Sequence, residues 1–171
     1  MGAVLYPLSH SPAWGSWARI GAIVVAALAG LAQAASLALP GTGDPVWWLQ
    51  CVSMVVLAGL LHRLRHTWRQ GALLGFAFAL AWLCGTFWWL FISLHTYGGL
   101  AAPLAVAAVV ALAAFLAIYY AFALGLFSLL APANKALAAM LFAALWLLAE
   151  LLRGTWFTGF PWGAGGYAHV Q

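Results

Sequence analysis

Charge is almost missing from this sequence. Of 171 residues, 5% are Asp, Glu, Lys or Arg, against about 25% in a typical soluble domain. The acids number two, Asp44 and Glu150, and the bases six. A soluble globule of this size needs far more polar surface, so a soluble fold is excluded. Disorder is excluded as well, because it requires low hydrophobicity and high net charge. No stretch is long and polar enough to build a water-exposed catalytic domain. Cysteine is scarce too. Cys51 and Cys84 both lie inside apolar runs, where buried packing residues are expected. Neither has the basic, polar setting of a reactive thiolate, and they support neither a disulfide framework nor a zinc site. Nothing in the residues calls for a metal or a cofactor. The formal net charge of +4 is too scattered to indicate nucleic acid as a partner.

What is present is hydrocarbon. Hydrophobic residues make up 67% of the chain, and the mean hydropathy is +1.05. The class this implies is an all-α polytopic membrane protein. A span needs about 20 apolar residues. Five runs approach that length, at about 20–39, 46–61, 70–94, 103–131 and 136–152. The first follows Trp14, Trp17 and Arg19, an aromatic and basic edge, and stops at the breaker cluster Pro40 to Pro45. It is too long for a cleaved signal peptide, and its flanking charge is a single Arg. The fourth is long enough to tilt or to project beyond the hydrocarbon. The last stretch, 153–171, is rich in Gly and aromatics and does not read as a helix. Basic residues set the expected orientation. With a cytoplasmic N-terminus, Arg19, Arg63, Arg65, Arg69 and Lys135 all lie inside, and Arg153 alone lies outside. The basic loop 62–69 then reads as a topology determinant that touches anionic lipid.

Gly71, Gly75 and Ala79 recur at four-residue spacing in the third run. Small residues at that spacing admit a neighbouring helix closely, within one bundle or between two copies. Tyr119 and Tyr120 lie well inside the fourth run. Their hydroxyls need partners in hydrocarbon, so at least one is expected to face the bundle or a cavity.

Three places on the expected trans side break the apolar pattern. The first is Trp88-Trp89 through His95, Tyr97, Gly98 and Gly99, an aromatic helix end entering a paired-glycine turn. It reads as an interfacial aromatic belt or as part of a site. The second is Glu150 with Arg153, three apart on one helix face. These are either an ion pair at the interface, or a phosphate-binding Arg153 oriented by Glu150. The third is the tail, in which Thr158-Gly159-Phe160-Pro161-Trp162 is followed by Gly166-Tyr167. Pro and Gly prevent helix there, so the segment lies at the interface or re-enters the bundle.

With that tail the chain resembles the bacterial apolipoprotein N-acyltransferases. Their signature is close to E-x-L-R-G, then T-G-F-P-W, then G-Y. It is matched here by Glu150 to Gly154, by Thr158 to Trp162, and by Gly166-Tyr167. The stretch Trp89 to Gly99, with Ser93, and the long fourth span with Tyr119 are similar as well. The resemblance implies an enzyme of the bacterial inner membrane that takes an acyl chain from a phospholipid. It passes the chain to the α-amino group of a lipoprotein's diacylglyceryl cysteine. The route runs through a cysteine thioester, and the cysteine belongs to a Glu-Lys-Cys triad in a nitrilase-like periplasmic domain. That domain has no counterpart in these 171 residues, so no catalytic residue is assigned. Cys51 and Cys84 do not match the nucleophile. The expectation is therefore a membrane portion that is inactive alone. Its residues facing lipid or substrate would be Trp89, Tyr97, Gly98, Gly99, Glu150, Arg153, Thr158, Gly159, Phe160, Pro161, Trp162, Gly166 and Tyr167. The competing class is a non-enzymatic membrane module, a transporter subunit or an assembly factor. A transporter should bury ionisable groups mid-span or repeat itself, and neither pattern is visible. The residues set no expectation for oligomeric state.

Overall fold

A computed structural model describes residues 16–63 and 67–169. Trp14, Arg65 and His66 lie outside the described residues. The architecture is helical throughout the described chain. Its elements are α1 (Ser16–Leu37), α2 (Trp47–His62), α3 (Trp68–Thr86), α4 (Trp88–Ile92), α5 (Ala102–Leu130) and α6 (Lys135–Thr155). A π-turn, Ser93–Tyr97, continues α4, and two 3-10 turns, Trp156–Thr158 and Gly165–His169, follow α6.

Local chemistry explains the ends. Past α1 the chain turns through Gly41 and Gly43 at φ +101° and +78°, a region open to glycine at little cost. The turn closes by Gly43 N–H to the Leu39 carbonyl at 2.9 Å. Pro103 sits in the first turn of α5, where its missing N–H has no helical partner to lose. Asn134 caps α6, its Oδ1 accepting from Ala136 N at 2.9 Å and Leu137 N at 3.2 Å.

Among the described residues, three helices, α1, α5 and α6, are long and apolar enough to cross a membrane. The third run does not form one straight helix over 70–94. It breaks at Phe87, and the two pieces, 68–86 and 88–97, meet at 52°. Counted as one bent span, they bring the total to four, not the five expected. The helix α2 has only 16 residues. At 1.5 Å per residue that is about 24 Å, short of the roughly 30 Å hydrocarbon core. The helix α6 continues to Thr155, so Arg153 is a helical residue and not part of an irregular tail. Cys51 faces outward from α2 and is not a buried packing residue, while Cys84 is half-buried.

The helix α3 is the centre of the bundle, packed against α1 on one side and α5 on the other. Glycine makes both crossings possible. A Cβ added at Gly71 would lie 2.8 Å from the Leu124 carbonyl, and one at Gly75 would lie 2.8 Å from the Tyr120 carbonyl. One added at Gly30 would overlap the Phe78 carbonyl and come within 3.1 Å of Trp82 N. The four-residue stripe therefore serves packing inside the chain, with Ala79 fully buried beside it. The helix α6 rests on α5. The 29 residues of α5 extend about 43 Å, and its first turns are mostly exposed, as for a helix projecting past its neighbours.

Candidate functional site

The end of α6 and the segment after it form one polar knot inside an apolar bundle. Five residues before the end of α6, Glu150 meets α5, where the Tyr120 hydroxyl donates to its Oε1 at 2.9 Å. Arg153 Nη2 donates to the other oxygen, Oε2, at 3.0 Å. The Arg153 side chain is fully buried, and that of Glu150 is 15% exposed. Arg153 Nη1 reaches back over the chain that follows it. It donates to the carbonyls of Phe160 at 2.8 Å and Trp162 at 2.9 Å. The backbone returns the contact, with Phe160 N–H donating to the Arg153 carbonyl at 2.9 Å. The planar guanidinium suits this arrangement because its donors diverge in a fixed fork.

Rings enclose the knot. Trp82 of α3 lies 5.9 Å from the Arg153 guanidinium carbon. It stacks on Trp146 of α6 at 5.7 Å and meets Tyr120 edge-on at 5.2 Å. An isolated charge at this depth would be strongly unfavourable. Here the cation has a carboxylate, two carbonyls and a π-face.

The loop that Arg153 holds is folded by its glycines. Gly159 has φ +74°, and a Cβ there would overlap the Gly154 carbonyl. Gly163 has φ +71° and sits against Thr86. Phe157 takes a left-handed conformation, φ 51°, although it is not glycine. A bulky residue in that region is strained and is held only by its surroundings. Its ring is 77% exposed and packs edge-on against Phe115 at 5.8 Å.

The residues expected at the site divide into three groups. Glu150, Arg153, Phe160 and Trp162 are joined directly, and Trp89 joins them through an edge contact with Trp162 at 6.4 Å. Gly159 and Pro161 shape the same loop, and Thr158 lies in the turn before it. Gly166 and Tyr167 belong to the next turn, exposed at the same end of the bundle. Tyr97, Gly98 and Gly99 build a turn of their own. Gly98 N–H donates to the Ser93 carbonyl, Leu100 N–H to the Leu94 carbonyl, and the His95 ring lies 2.8 Å from the Leu100 carbonyl. Of the two readings of Glu150 with Arg153, the ion pair forms, Nη2 to Oε2 at 3.0 Å, but with Arg153 buried and not at an interface. Arg153 faces the protein interior, where its donors hold backbone, and it does not present its guanidinium to lipid. The surface of this end consists of rings instead, with Trp162 56% exposed and Trp88, Trp89, Trp156 and Tyr167 also exposed.

The sequence alone required at least one of Tyr119 and Tyr120 to face the bundle or a cavity, without deciding which. It did not reveal that the buried one, Tyr120, pairs with Glu150. Sequence reasoning also missed Trp82, Trp146, Gln33, Gln50 and His169. Two glutamines inside apolar helices were the one available clue to the last group.

The amino-acid sequence matches a known family. Residues 29–171 fit the family model described as the apolipoprotein N-acyltransferase N-terminal domain. The chain is 64% identical over 149 residues to an apolipoprotein N-acyltransferase of Verminephrobacter eiseniae (strain EF01-2), covering 85% of this chain and 28% of that protein. It is 44% identical over 128 residues to one from Ralstonia nicotianae, covering 73% and 24%. It is 38% identical over 178 residues to one from Bordetella bronchiseptica, covering 96% and 31%. The chain thus spans between 24% and 31% of the length of these relatives. With the family model matched over most of its residues, the chain belongs to the apolipoprotein N-acyltransferase family, of which it represents the N-terminal domain.

Proposed function

We propose that this chain is the membrane platform of an enzyme that N-acylates bacterial lipoproteins. The acyl donor is a phospholipid, and the acceptor is the α-amine of a diacylglyceryl cysteine. In the reaction the acyl carbonyl carbon leaves a glycerol ester oxygen for a cysteine sulphur. It then leaves the sulphur for the amine nitrogen, forming an amide. The first transfer releases a lysophospholipid, and the second frees the thiol. The nucleophile and its base belong to the part of the enzyme beyond this domain. Cys51 and Cys84 are not proposed for that role.

One observation carries the reading: Arg153 fixes the Phe160-Pro161-Trp162 loop by its two carbonyls. This arrangement presents exposed rings at the rim of the bundle while the charge that holds them stays inside. A rigid aromatic rim suits acyl chains and lipid glycerol, since such rings have an apolar body and tolerate the interface. A periplasmic rim is supported by the distribution of basic residues, since Arg19, Arg63, Arg69 and Lys135 lie at or beside the helix ends opposite to it. Glu150 and Arg153 are bonded to each other, to Tyr120 and to backbone carbonyls, which speaks against an ion path. In this reading Trp89, Pro161, Trp162 and Tyr167 touch lipid, while Glu150, Arg153 and Gly159 hold them in place.

The test uses a full-length enzyme carrying this domain, in cells depleted of their own. Trp162→Ala should insert normally, yet fail to support growth and accumulate diacylated lipoprotein. Normal lipoprotein N-acylation by Trp162→Ala and Pro161→Ala together would remove the lipid-contact role and leave only packing.

A further inference from the structure

Gln50 is a polar residue in the first turns of α2, a helix that is apolar apart from Gln50, Ser53 and the terminal His62. It is 9% exposed. Its Nε2 donates to the Gly165 carbonyl at 2.9 Å. Its Oε1 lies 2.7 Å from His169 Nε2. These two contacts fix the chemistry at both ends. A carbonyl can only accept, so the amide nitrogen of Gln50 must point to Gly165. The amide oxygen is then what His169 meets, and His169 Nε2 must carry a hydrogen. One side chain of α2 therefore holds both ends of the Gly165–His169 turn, bridging 115 and 119 positions of sequence.

The surroundings are shaped to this contact. Gly165 is buried, and a Cβ there would lie 2.9 Å from Gln50 Nε2. A side chain there would require the Gln50 amide to shift. Gln33 of α1 is fully buried on the other side, its Nε2 3.6 Å from the same position. Beside the turn, α2 and α6 leave a groove of about 410 Å³ whose walls include Gln50, Trp146, Glu150 and His169. The turn is thus tied to α2 across an open gap. The other end of the segment is tied to α6 by Arg153.

We propose that Gln50 and His169 are positioning residues, forming a latch that pins the far end of the 156–169 segment to α2. The aromatic loop is then stretched between two polar anchors, Arg153 on α6 and Gln50 on α2. Neither anchor touches lipid. Each fixes where Trp162 and Tyr167 stand on the rim. The consequence for catalysis rests on the acyl-transfer reading above, whereas the latch itself does not.

The experiment uses the full-length enzyme in lipid nanodiscs. It compares Gln50→Leu, His169→Leu, Gly165→Ala and His169→Gln with the parent. Backbone amide exchange is followed in 157–169 and, as an internal control, in α5. The rate of lipoprotein N-acylation is measured in parallel. In the first three variants, exchange in 157–169 should accelerate by about fivefold to tenfold, the scale of one lost hydrogen bond, with α5 unchanged. N-acylation should fall with it. His169→Gln still offers an N–H to the Gln50 oxygen and should restore both. Because His169 is at the surface, its two variants fold even if Gln50→Leu does not. Unchanged exchange in His169→Leu, or a His169→Gln no better than His169→Leu, overturns the latch. Faster exchange with rescue but unaltered N-acylation keeps the latch and overturns the acyl-transfer role given to the loop.

Discussion

The Tyr120 hydroxyl, on α5, donates to Glu150 Oε1, on α6, at 2.9 Å. This bond orients the carboxylate whose other oxygen holds Arg153. Tyr120→Phe removes the hydroxyl and nothing else. Hydrogen bonds to charged groups contribute about 1.5–3 kcal/mol, so the thermal midpoint of the purified protein should fall clearly. An unchanged midpoint would mean that Glu150 is held by Arg153 alone.

Arg153→Lys keeps the charge and loses the fork. One ammonium cannot reach the Phe160 carbonyl, the Trp162 carbonyl and Glu150 with the geometry a guanidinium provides. Arg153→Met goes further and leaves Glu150 without its cation at low dielectric. Breaking a buried pair in this way costs about 3–5 kcal/mol. The expected order of stability is parent, then Lys, then Met, read from thermal unfolding or from steady-state level in membranes. A Lys variant as stable as the parent would show that charge alone suffices.

Gly71 and Gly59 make a matched pair. A Cβ at Gly71 would press on Ser128 and the Leu124 carbonyl, while one at Gly59 would meet nothing within 4 Å. Gly71→Ala should therefore destabilise by about 1–3 kcal/mol through overpacking. Gly59→Ala should be neutral, or stabilising by up to about 1 kcal/mol, because alanine favours helix. Equal effects of the two changes on thermal stability would contradict the close crossing of α3 and α5.

Gln33 is fully buried, and neither atom of its amide has a protein partner. An unsatisfied buried polar group costs about 1–3 kcal/mol. Gln33→Leu has nearly the same shape and removes that penalty, so its midpoint should rise. A fall would reveal that the amide is satisfied by bound water.

Much of this protein was legible in its composition and punctuation. The apolar runs became helices, and the Pro40–Pro45 cluster became the turn after α1. The break at Phe87 was not legible, because Trp82 to Leu94 carries no proline and Gly85-Thr86 is a short interruption in a long apolar run. Glu150 and Arg153 do share one helix face as read from the sequence, but the continuation of α6 to Thr155 and the burial of Arg153 were not legible. A buried arginine is stable in a helix only when acceptors are folded over it, and those acceptors lie seven and nine residues further on. The site was recognisable as a string of residues, but the direction in which Arg153 points was not.

The sequence by itself determined a helical membrane domain with an aromatic, glycine-rich segment at one end. Hydrocarbon enforces this outcome, since any long apolar run must satisfy its own backbone there. Which polar groups meet was decided only by the tertiary structure. Helices with so few polar side chains have little chemistry to set their mutual rotation and depth. Those were set by the close contacts at Gly30, Gly71 and Gly75. With the backbones at that distance, Tyr120 comes within reach of Glu150, and the folded-back segment brings its carbonyls to Arg153 and Gln50.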